Sequence, residues 1–521
     1  MSNKNYRKVG VVVGLVIIIF MVMILRLYSL SVRQYSHLEN DYNFNDTSAT
    51  QRRANIVDRN GFLLATDIGT KTLYLNRDLL ENERFIAKKL AKILNLNEDS
   101  LYKRLMDKGS KSKYILIKRY ILPTEENKIK LLPIASLVFE DELLRYYPYN
   151  NLFSHVVGYV DIDKNGIIGL EKYYDSRLKK EKNALRTSLD MRVQSALRRV
   201  IVESYEIFKP NFIVGIISEV KSGNIIAMIS FPDFNPNINK TKNNTFNHAT
   251  YGNYELGSVF KIFTIANGIE LGVIQKNTVF DVSRDVSYGK FTAKDIDSIK
   301  SRKRINAEEA FAISSNIATV HTAKLIGINE QLNFLDNLGL SERLNIDLGE
   351  TSLPIQPRKW KEINLMTIAY GYGVAVSPLH ILSAANAILN DGEMITSRLS
   401  YEYKDQKRYN VVSKKTSNIM KGFFRATVEK GTARLAYIKG YDIGGKTGTA
   451  RKIVGNDYQK GEHLASFVGA FPIDNPQYSI IIVADRPRGL TEKQGDGTGS
   501  SVSAKIARDV ILKIMPFLQV Y

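Results

Sequence analysis

Cysteine is absent from the 521 residues. Its absence excludes disulfides, thiolate nucleophiles and cysteine-bound zinc or iron–sulfur clusters, and leaves the redox compartment open. Histidine is scarce. The six, His37, His155, His248, His321, His380 and His463, are scattered without a pair at helix-face metal spacing, so no metal site and no cofactor are expected. Acidic residues are outnumbered, 53 against 73 Lys and Arg, for a net charge of +20. That balance suits nucleic acid, an anionic membrane surface or a polyanionic matrix, and does not choose among them. Long apolar runs are lacking too, except at the amino terminus. The rest has a globular composition, 44% hydrophobic and 24% charged, which excludes a disordered or collagenous chain. The length suits two to four domains of roughly 150 residues.

The exception decides location. Residues 9–25 read VGVVVGLVIIIFMVMIL without a charge, at the short end of what spans a bilayer, and Leu27 and Tyr28 extend the run to 28. Lys4, Arg7 and Lys8 precede it with no acidic residue, so the positive-inside bias puts residues 1–8 in the cytoplasm and the rest on the far side. A cleaved signal peptide, with Ser29-Leu30-Ser31 as a small-x-small site, and a buried core helix are the competing readings. The run exceeds a usual signal segment and is followed by Arg26, which favours an uncleaved anchor over 9–28. A single-pass protein with its mass outside the cytoplasm has no use for nucleic acid.

Past the anchor the texture changes once. From 29 to 183 short strand-like runs (55–57, 72–75, 114–117) mix with polar helical stretches at 81–94 and 98–106. The charged run Lys179-Lys180-Glu181-Lys182-Asn183 has no apolar period and reads as a surface connection and boundary. From 184 to 521 the chain is denser in core material. FIVGIIS at 212–218 and IIAMIS at 225–230 flank the turn Lys221-Ser222-Gly223-Asn224 as a hairpin, and QYSIIIVAD at 477–485 is a further buried strand. Helical periods follow Ser258, Asn316 and Pro378. The pattern is α/β material with antiparallel neighbours rather than regular β-α-β alternation.

Three short motifs occur in order: Ser258-Val259-Phe260-Lys261, an SxxK; Ser314-Ser315-Asn316, an SxN; and Lys446-Thr447-Gly448, a KTG. Alone each is weak, since SxxK recurs at Ser100, Ser110, Ser176 and Ser218 and SxN at Ser222. Context strengthens them. Gly257 and an apolar helical stretch place Ser258 in the first turn of a helix, with Lys261 one turn on and on the same face. A serine hydroxyl needs an adjacent base, and a lysine serves if burial or a nearby cation, here Lys446, depresses its pKa. Free N–H groups at the helix start can stabilise an oxyanion. The SxN sits as a turn between helical stretches at 307–313 and 317–325, aimed at a cleft. Around the KTG, Gly444-Gly445-Lys446-Thr447-Gly448-Thr449-Ala450 suits a strand approached closely by a ligand backbone, whose Lys446, Thr447 and Thr449 can hold a carboxylate.

These residues resemble the penicillin-binding proteins, and within them the class B transpeptidases. Arg53-Ala54-Asn55-Ile56-Val57-Asp58-Arg59-Asn60-Gly61 looks like the RGxIxDRNG of the class B pedestal, with Ala54 in place of a glycine. Arg145-Tyr146-Tyr147-Pro148, His155, Gly158-Tyr159, Gly169-Leu170-Glu171 and Thr187-Ser188-Leu189-Asp190 match further. Tyr254-Glu255-Leu256-Gly257-Ser258 resembles the YEPGS of cell-division members, with Leu256 for proline; Tyr370-Gly371-Tyr372-Gly373 and Ala465-Ser466-Phe467-Val468-Gly469 agree with it. The resemblance implies a cytoplasmic tail (1–8), an anchor (9–28) in the bacterial inner membrane, an elongated mixed pedestal (29–183) and a transpeptidase domain (184–521) with a central antiparallel sheet flanked by helices, on the periplasmic side. Only 75 residues follow Lys446 (521 − 446), so neither carboxy-terminal accessory domains nor a glycosyltransferase domain is expected.

The implied activity is peptidoglycan cross-linking at the septum. Ser258 attacks the penultimate D-alanine carbonyl of a stem peptide, Lys261 is its base, Ser314 relays the proton and Asn316 orients Lys261 and the substrate amide. Lys446, Thr447, Gly448 and Thr449 bind the terminal carboxylate, and the N–H groups of Ser258 and Thr449 form the oxyanion hole. β-Lactams would acylate the same serine. A SEDS-family glycan polymerase and small bitopic division proteins are the implied partners. Alternatives are an elongation-type enzyme, a D,D-carboxypeptidase or β-lactamase of the same superfamily, and a silent division scaffold. Glu255 reads as a helix-start carboxylate, Tyr251, Tyr254, Tyr370 and Tyr372 as core or cleft wall, the basic run at 301–304 as solvated surface, and Asp58 and Arg59 as pedestal braces.

Overall fold

The structure, a computed structural model, describes residues 20–23, 26, 52–107, 109, 112–238, 244–289, 291–454, 457–489 and 497–518. The chain forms two compact units, 1–51 and 52–521. Of the anchor expected over 9–28 only 20–23 and 26 are described, all helical; its remainder and the tail at 1–8 lie outside the described residues. Among the described residues no helix is long and apolar enough to cross a membrane.

The second unit opens with β1 (Ile56–Val57), β2 (Leu63–Asn76), α1 (Glu83–Leu94), α2 (Glu98–Met106), β3 (Tyr114–Ile121) and β4 (Leu137–Tyr146). The long strand β2 pairs antiparallel with β1, then with β4 over 66–75, and near its end with β3. In α1 the residues Ile86, Ala87, Leu90, Ala91 and Leu94 recur at helical spacing and are buried. Asn82 caps it by accepting the Phe85 N–H at 3.3 Å. Ile86 and Leu90 share a core with Leu73 and Leu75 of β2, Leu101 of α2 and Ile115 and Ile117 of β3. Each such Ile or Leu contributes roughly 1.5–3 kcal/mol by leaving water.

A short helix, α3 (Gly169–Tyr173), carries Glu171 into an ionic cluster. Arg53 Nε meets one of its oxygens at 2.6 Å and Arg145 Nε the other at 2.7 Å, while Arg53 reaches Asp175 and Arg145 reaches Asp67. Both arginines and Glu171 are buried. The charged run at 179–183 leads into β5 (Leu185–Arg186), which pairs in parallel with β1.

From there α4 (Met191–Phe208), β6 (Phe212–Glu219) and β7 (Ile225–Phe231) lead to a tight turn, Gly257–Phe260, and α5 (Lys261–Glu270). The remaining main elements are α6 (Ala307–Ala312), α7 (Asn316–Ile326), α8 (Pro378–Leu389), α9 (Lys414–Lys430), β8 (Gly444–Val454), β9 (Asp457–Phe471), β10 (Tyr478–Asp485) and α10 (Ala504–Leu518). The central sheet has the order β8-β9-β10-β6-β7, antiparallel throughout. One face packs Ile213, Ile480 and Ile482 against Leu197 and Ile201 of α4 and Val510 and Ile514 of α10. The other packs Ile216, Ile481 and Val483 against Phe260, Phe263, Leu382 and Phe423. Covering both faces is why these strands read as unbroken apolar runs rather than alternating ones.

Asp58 and Arg59 do more than brace the pedestal. Asp58 Oδ2 accepts the Met191 N–H at the start of α4 at 3.0 Å, and Arg59 pairs with Glu219 of β6 at 2.6 Å.

Candidate active site

The first two motifs meet where α5 packs beside α7. Ser258, half-buried, lies in the turn Gly257–Phe260, a tighter 3₁₀ turn than the first α-helical turn its spacing predicts; Lys261 opens α5 and is 1% exposed. Gly257 has φ +58°, and a Cβ there would stand 2.8 Å from the Thr449 carbonyl oxygen. A glycine is therefore required where the nucleophile turn lies against β8. Gly371, at φ +100°, approaches Gly257 so closely that its Cβ would be 2.0 Å from the Gly257 oxygen. Glu255 is a clamp rather than a helix-start charge: its Oε1 accepts the Gly373 N–H at 2.6 Å, tying the nucleophile turn to the 370–373 loop. On that loop Tyr372 accepts the Arg451 N–H through its hydroxyl at 3.2 Å.

The second motif is the junction of α6 and α7. Ser314 has φ +65°, a left-handed backbone that costs a serine roughly 1–3 kcal/mol and persists only where surroundings impose it. Ser315 caps α7 by accepting the Ala318 N–H at 3.1 Å, so Asn316 is the first helical residue. That kink turns both Ser314 and Asn316 toward Lys261. Lys261 Nζ donates to the Ser314 carbonyl oxygen at 2.5 Å, to Ser314 Oγ at 3.0 Å and to Asn316 Oδ1 at 2.7 Å.

The third motif lies on β8, the edge strand of the sheet. Lys446, fully buried, donates through Nζ to Ser314 Oγ at 2.9 Å and stands 5.7 Å from the Phe311 ring centre. Ser314 Oγ thus joins two lysines that are distant in sequence. Burial lowers both pKa values, Lys261 to about 7, and the Lys261 charge lowers Lys446 further. Burial, one of the two causes expected from sequence, is the largest for both lysines. Two buried ammonium groups sharing one hydroxyl oxygen repel, so the pair is not doubly charged at neutral pH.

Thr447 is buried and its Oγ1 lies 2.6 Å from Thr432 Oγ1; Thr449, half-buried, accepts the Gly499 N–H through Oγ1 at 3.0 Å. Gly448 lies so flat on the nucleophile turn that a Cβ would stand 2.3 Å from the Leu256 oxygen. Of the eight sequence-predicted residues, Lys261, Ser314, Asn316 and Lys446 are joined by hydrogen bonds and Gly448 lies against Leu256 beside the Ser258 turn; Ser258, Ser314, Asn316 and Thr449 are half-buried, Lys261, Lys446, Thr447 and Gly448 buried.

Two residues in no motif join them. Asp295 is 7% exposed; its Oδ2 accepts the Ser315 Oγ–H at 2.5 Å and its Oδ1 the Asn316 N–H at 2.6 Å. Thr432 reaches Thr447. Neither position carried a signal of period or motif. Among the described residues no cluster of His, Asp and Glu could hold a metal ion.

Comparison with known proteins places the chain in a family. The family model described as penicillin binding protein transpeptidase domain matches 213–512, and that of the penicillin-binding protein dimerisation domain matches 48–203. A probable peptidoglycan D,D-transpeptidase FtsI from Caulobacter vibrioides is 33% identical over 488 residues, covering 90% of this chain and 82% of that protein. The chain belongs to the class B penicillin-binding proteins, in the FtsI subfamily.

Stage V sporulation protein D of Bacillus subtilis, 28% identical with 90% and 78% coverage, is a further relative of this class B protein. The crystal structure of penicillin binding protein 3 from Mycobacterium tuberculosis, complexed with aztreonam, shares the fold: TM-score 0.71 at 22% identity, over 90% of this chain and 96% of that one. The dimerisation-domain match precedes the transpeptidase-domain match along the chain, so a pedestal precedes a transpeptidase domain.

Proposed function

We propose that this class B protein cross-links peptidoglycan as a division-type D,D-transpeptidase through an acyl-enzyme on Ser258. The observation that carries the site assignment is the convergence of Lys261 and Lys446 on Ser314 Oγ at 3.0 and 2.9 Å beside the Ser258 turn. A buried amine with a pKa near neutrality is matched to accept a proton from a serine hydroxyl at physiological pH.

The reaction runs in two halves. Ser258 Oγ bonds to the penultimate D-alanine carbonyl carbon as its proton passes to the neutral Lys261 amine. The carbon–nitrogen bond breaks and the terminal D-alanine leaves, its nitrogen protonated through Ser314. An amine of a second stem peptide then bonds to the ester carbon and gives up its proton to the same relay, and Ser258 regains its hydroxyl. The N–H groups of Ser258 and Thr449 hold the oxyanion. Thr447 and Thr449 hold the terminal carboxylate together with Lys446, whose amine takes up a solvent proton as the negative charge arrives and raises its pKa, and Asn316 keeps Lys261 oriented. β-Lactams present a strained amide beside a carboxylate and acylate the same serine.

The uncharged run at 9–25, extended to 28 past Arg26 and preceded by Lys4, Arg7 and Lys8, supports a single inner-membrane anchor with the site on the periplasmic side. The tail (1–8), pedestal (29–183) and transpeptidase domain (184–521) follow from the same reading. The division assignment supports contact with a SEDS-family polymerase and bitopic division proteins through the anchor and pedestal.

The test is intact-protein mass spectrometry of the full chain in detergent with penicillin, followed by peptide mapping. A single adduct on the Ser258 peptide, lost slowly and absent in Ser258→Ala, is expected. An adduct retained in the alanine variant would overturn the nucleophile, and rapid loss would favour a hydrolase.

A further inference from the structure

Asp295 sits in the segment that links a small hairpin, Val286–Tyr288 with Phe291–Ala293, to the helical turn Asp297–Lys300, outside all three motifs. Its two carboxylate oxygens are both used on the SxN turn, one on the Ser315 hydroxyl and one on the Asn316 backbone N–H. The preceding residue adds a third tie: the Lys294 carbonyl accepts the Asn316 side-chain N–H at 2.8 Å. With Nδ2 committed to Lys294, the Asn316 amide must present Oδ1 to Lys261, where it accepts at 2.7 Å. The neighbouring Ser314 holds the left-handed backbone that brings its hydroxyl between the two lysines. A turn of that kind needs its flanking residues pinned, and the segment at 294–295 pins two of them.

We propose that Asp295 is a positioning residue for acyl transfer, fixing through Ser315 and Asn316 the turn that presents Ser314 and Asn316 to Lys261. This rests on the transpeptidase reading above. The groups that face the Lys261 amine are Ser314 and Asn316 from the turn and, in charge, Lys446 from β8 and Asp295. Of these charges Asp295 is the one that raises the Lys261 pKa, against the lowering by burial. Asp295 thereby has two separable effects: it holds the turn, and it keeps the proton on Lys261 to higher pH than burial alone would.

The experiment follows acylation of the full chain by a fluorescent penicillin across pH, with thermal unfolding measured in parallel. Asp295→Asn keeps shape but loses one acceptor and the charge. Its second-order acylation constant is expected to fall about tenfold or more from the misplaced relay, and the acidic limb of its pH profile to move to lower pH as the Lys261 amine loses its carboxylate. Wild-type constants, or a fall in rate with an unmoved limb, would overturn the proposal, the latter reducing Asp295 to a structural cap. Should Asp295→Asn lack a cooperative melt, Ser315→Ala removes the hydroxyl contact and keeps the charge. It is expected to acylate more slowly with its limb unmoved, and a wild-type rate there overturns the proposal. A wild-type protein that forms no adduct at all would instead overturn the transpeptidase reading.

Discussion

At the scale of single residues, Lys261 is the group whose behaviour the surroundings change most consequentially. Burial brings its pKa down to about 7, so its neutral, proton-accepting form grows in as pH rises through neutrality. The acylation constant is expected to climb along a single titration centred near that value, measured by stopped-flow labelling with penicillin; a rate flat across neutral pH would contradict the assignment of Lys261 as base. Replacing it, Lys261→Met, is expected to lower acylation by on the order of a hundredfold to ten-thousandfold. The motif spacing pointed to Ser258 and Lys261 because both lie within one turn of chain. It gave no access to Asp295 or Thr432, whose partners Ser315 and Thr447 lie 20 and 15 residues away in sequence.

At the scale of elements, the pedestal is joined by charge as much as by apolar packing. Glu171 of α3 is fully buried between Arg53 and Arg145, which come from segments 118 and 26 residues away. Leaving two guanidinium groups buried without their shared carboxylate is expensive, so Glu171→Ala is expected to destabilise the unit by about 3–5 kcal/mol. Denaturant unfolding checks this, and a loss below about 1 kcal/mol would place the pair among weak, solvent-screened bridges. Strands and helices were largely legible in sequence, since α1, α7, the hairpin of β6 and β7, and β10 follow from local period and turn chemistry. The ionic hub was not. Arg53, Arg145 and Glu171 stood out only through resemblance, because an ion pair across such separations leaves no periodic trace.

At the scale of the whole unit, the pedestal and transpeptidase regions share buried polar contacts. Asp347 is fully buried; it accepts the Tyr174 hydroxyl at 3.1 Å from the pedestal side and the Leu399 N–H at 2.7 Å. Desolvation raises its pKa from 3.8 to about 6 despite these bonds. Between those two values the folded state holds a proton that the unfolded chain has released, so stability falls as pH rises through that window and levels above it. Asp347→Asn is expected to flatten that slope, read from thermal midpoints across the acidic range. An unchanged slope would assign the pH dependence elsewhere.

The amino-acid sequence by itself determined the strands and helices of strong local period, the absence of thiol chemistry, the membrane-anchor expectation and the three motifs, because each is written in short-range pattern or in composition. Only the tertiary structure decided how the motifs work together. Lys446 is 132 residues from Ser314 yet shares its hydroxyl with Lys261, and Glu255 reaches across 118 residues to the Gly373 N–H. The lowered pKa values of the two lysines also came from burial, a property of the packed chain. Long-range contacts and desolvation arise when the sheet brings β8 against the Ser258 turn, and no local period encodes either.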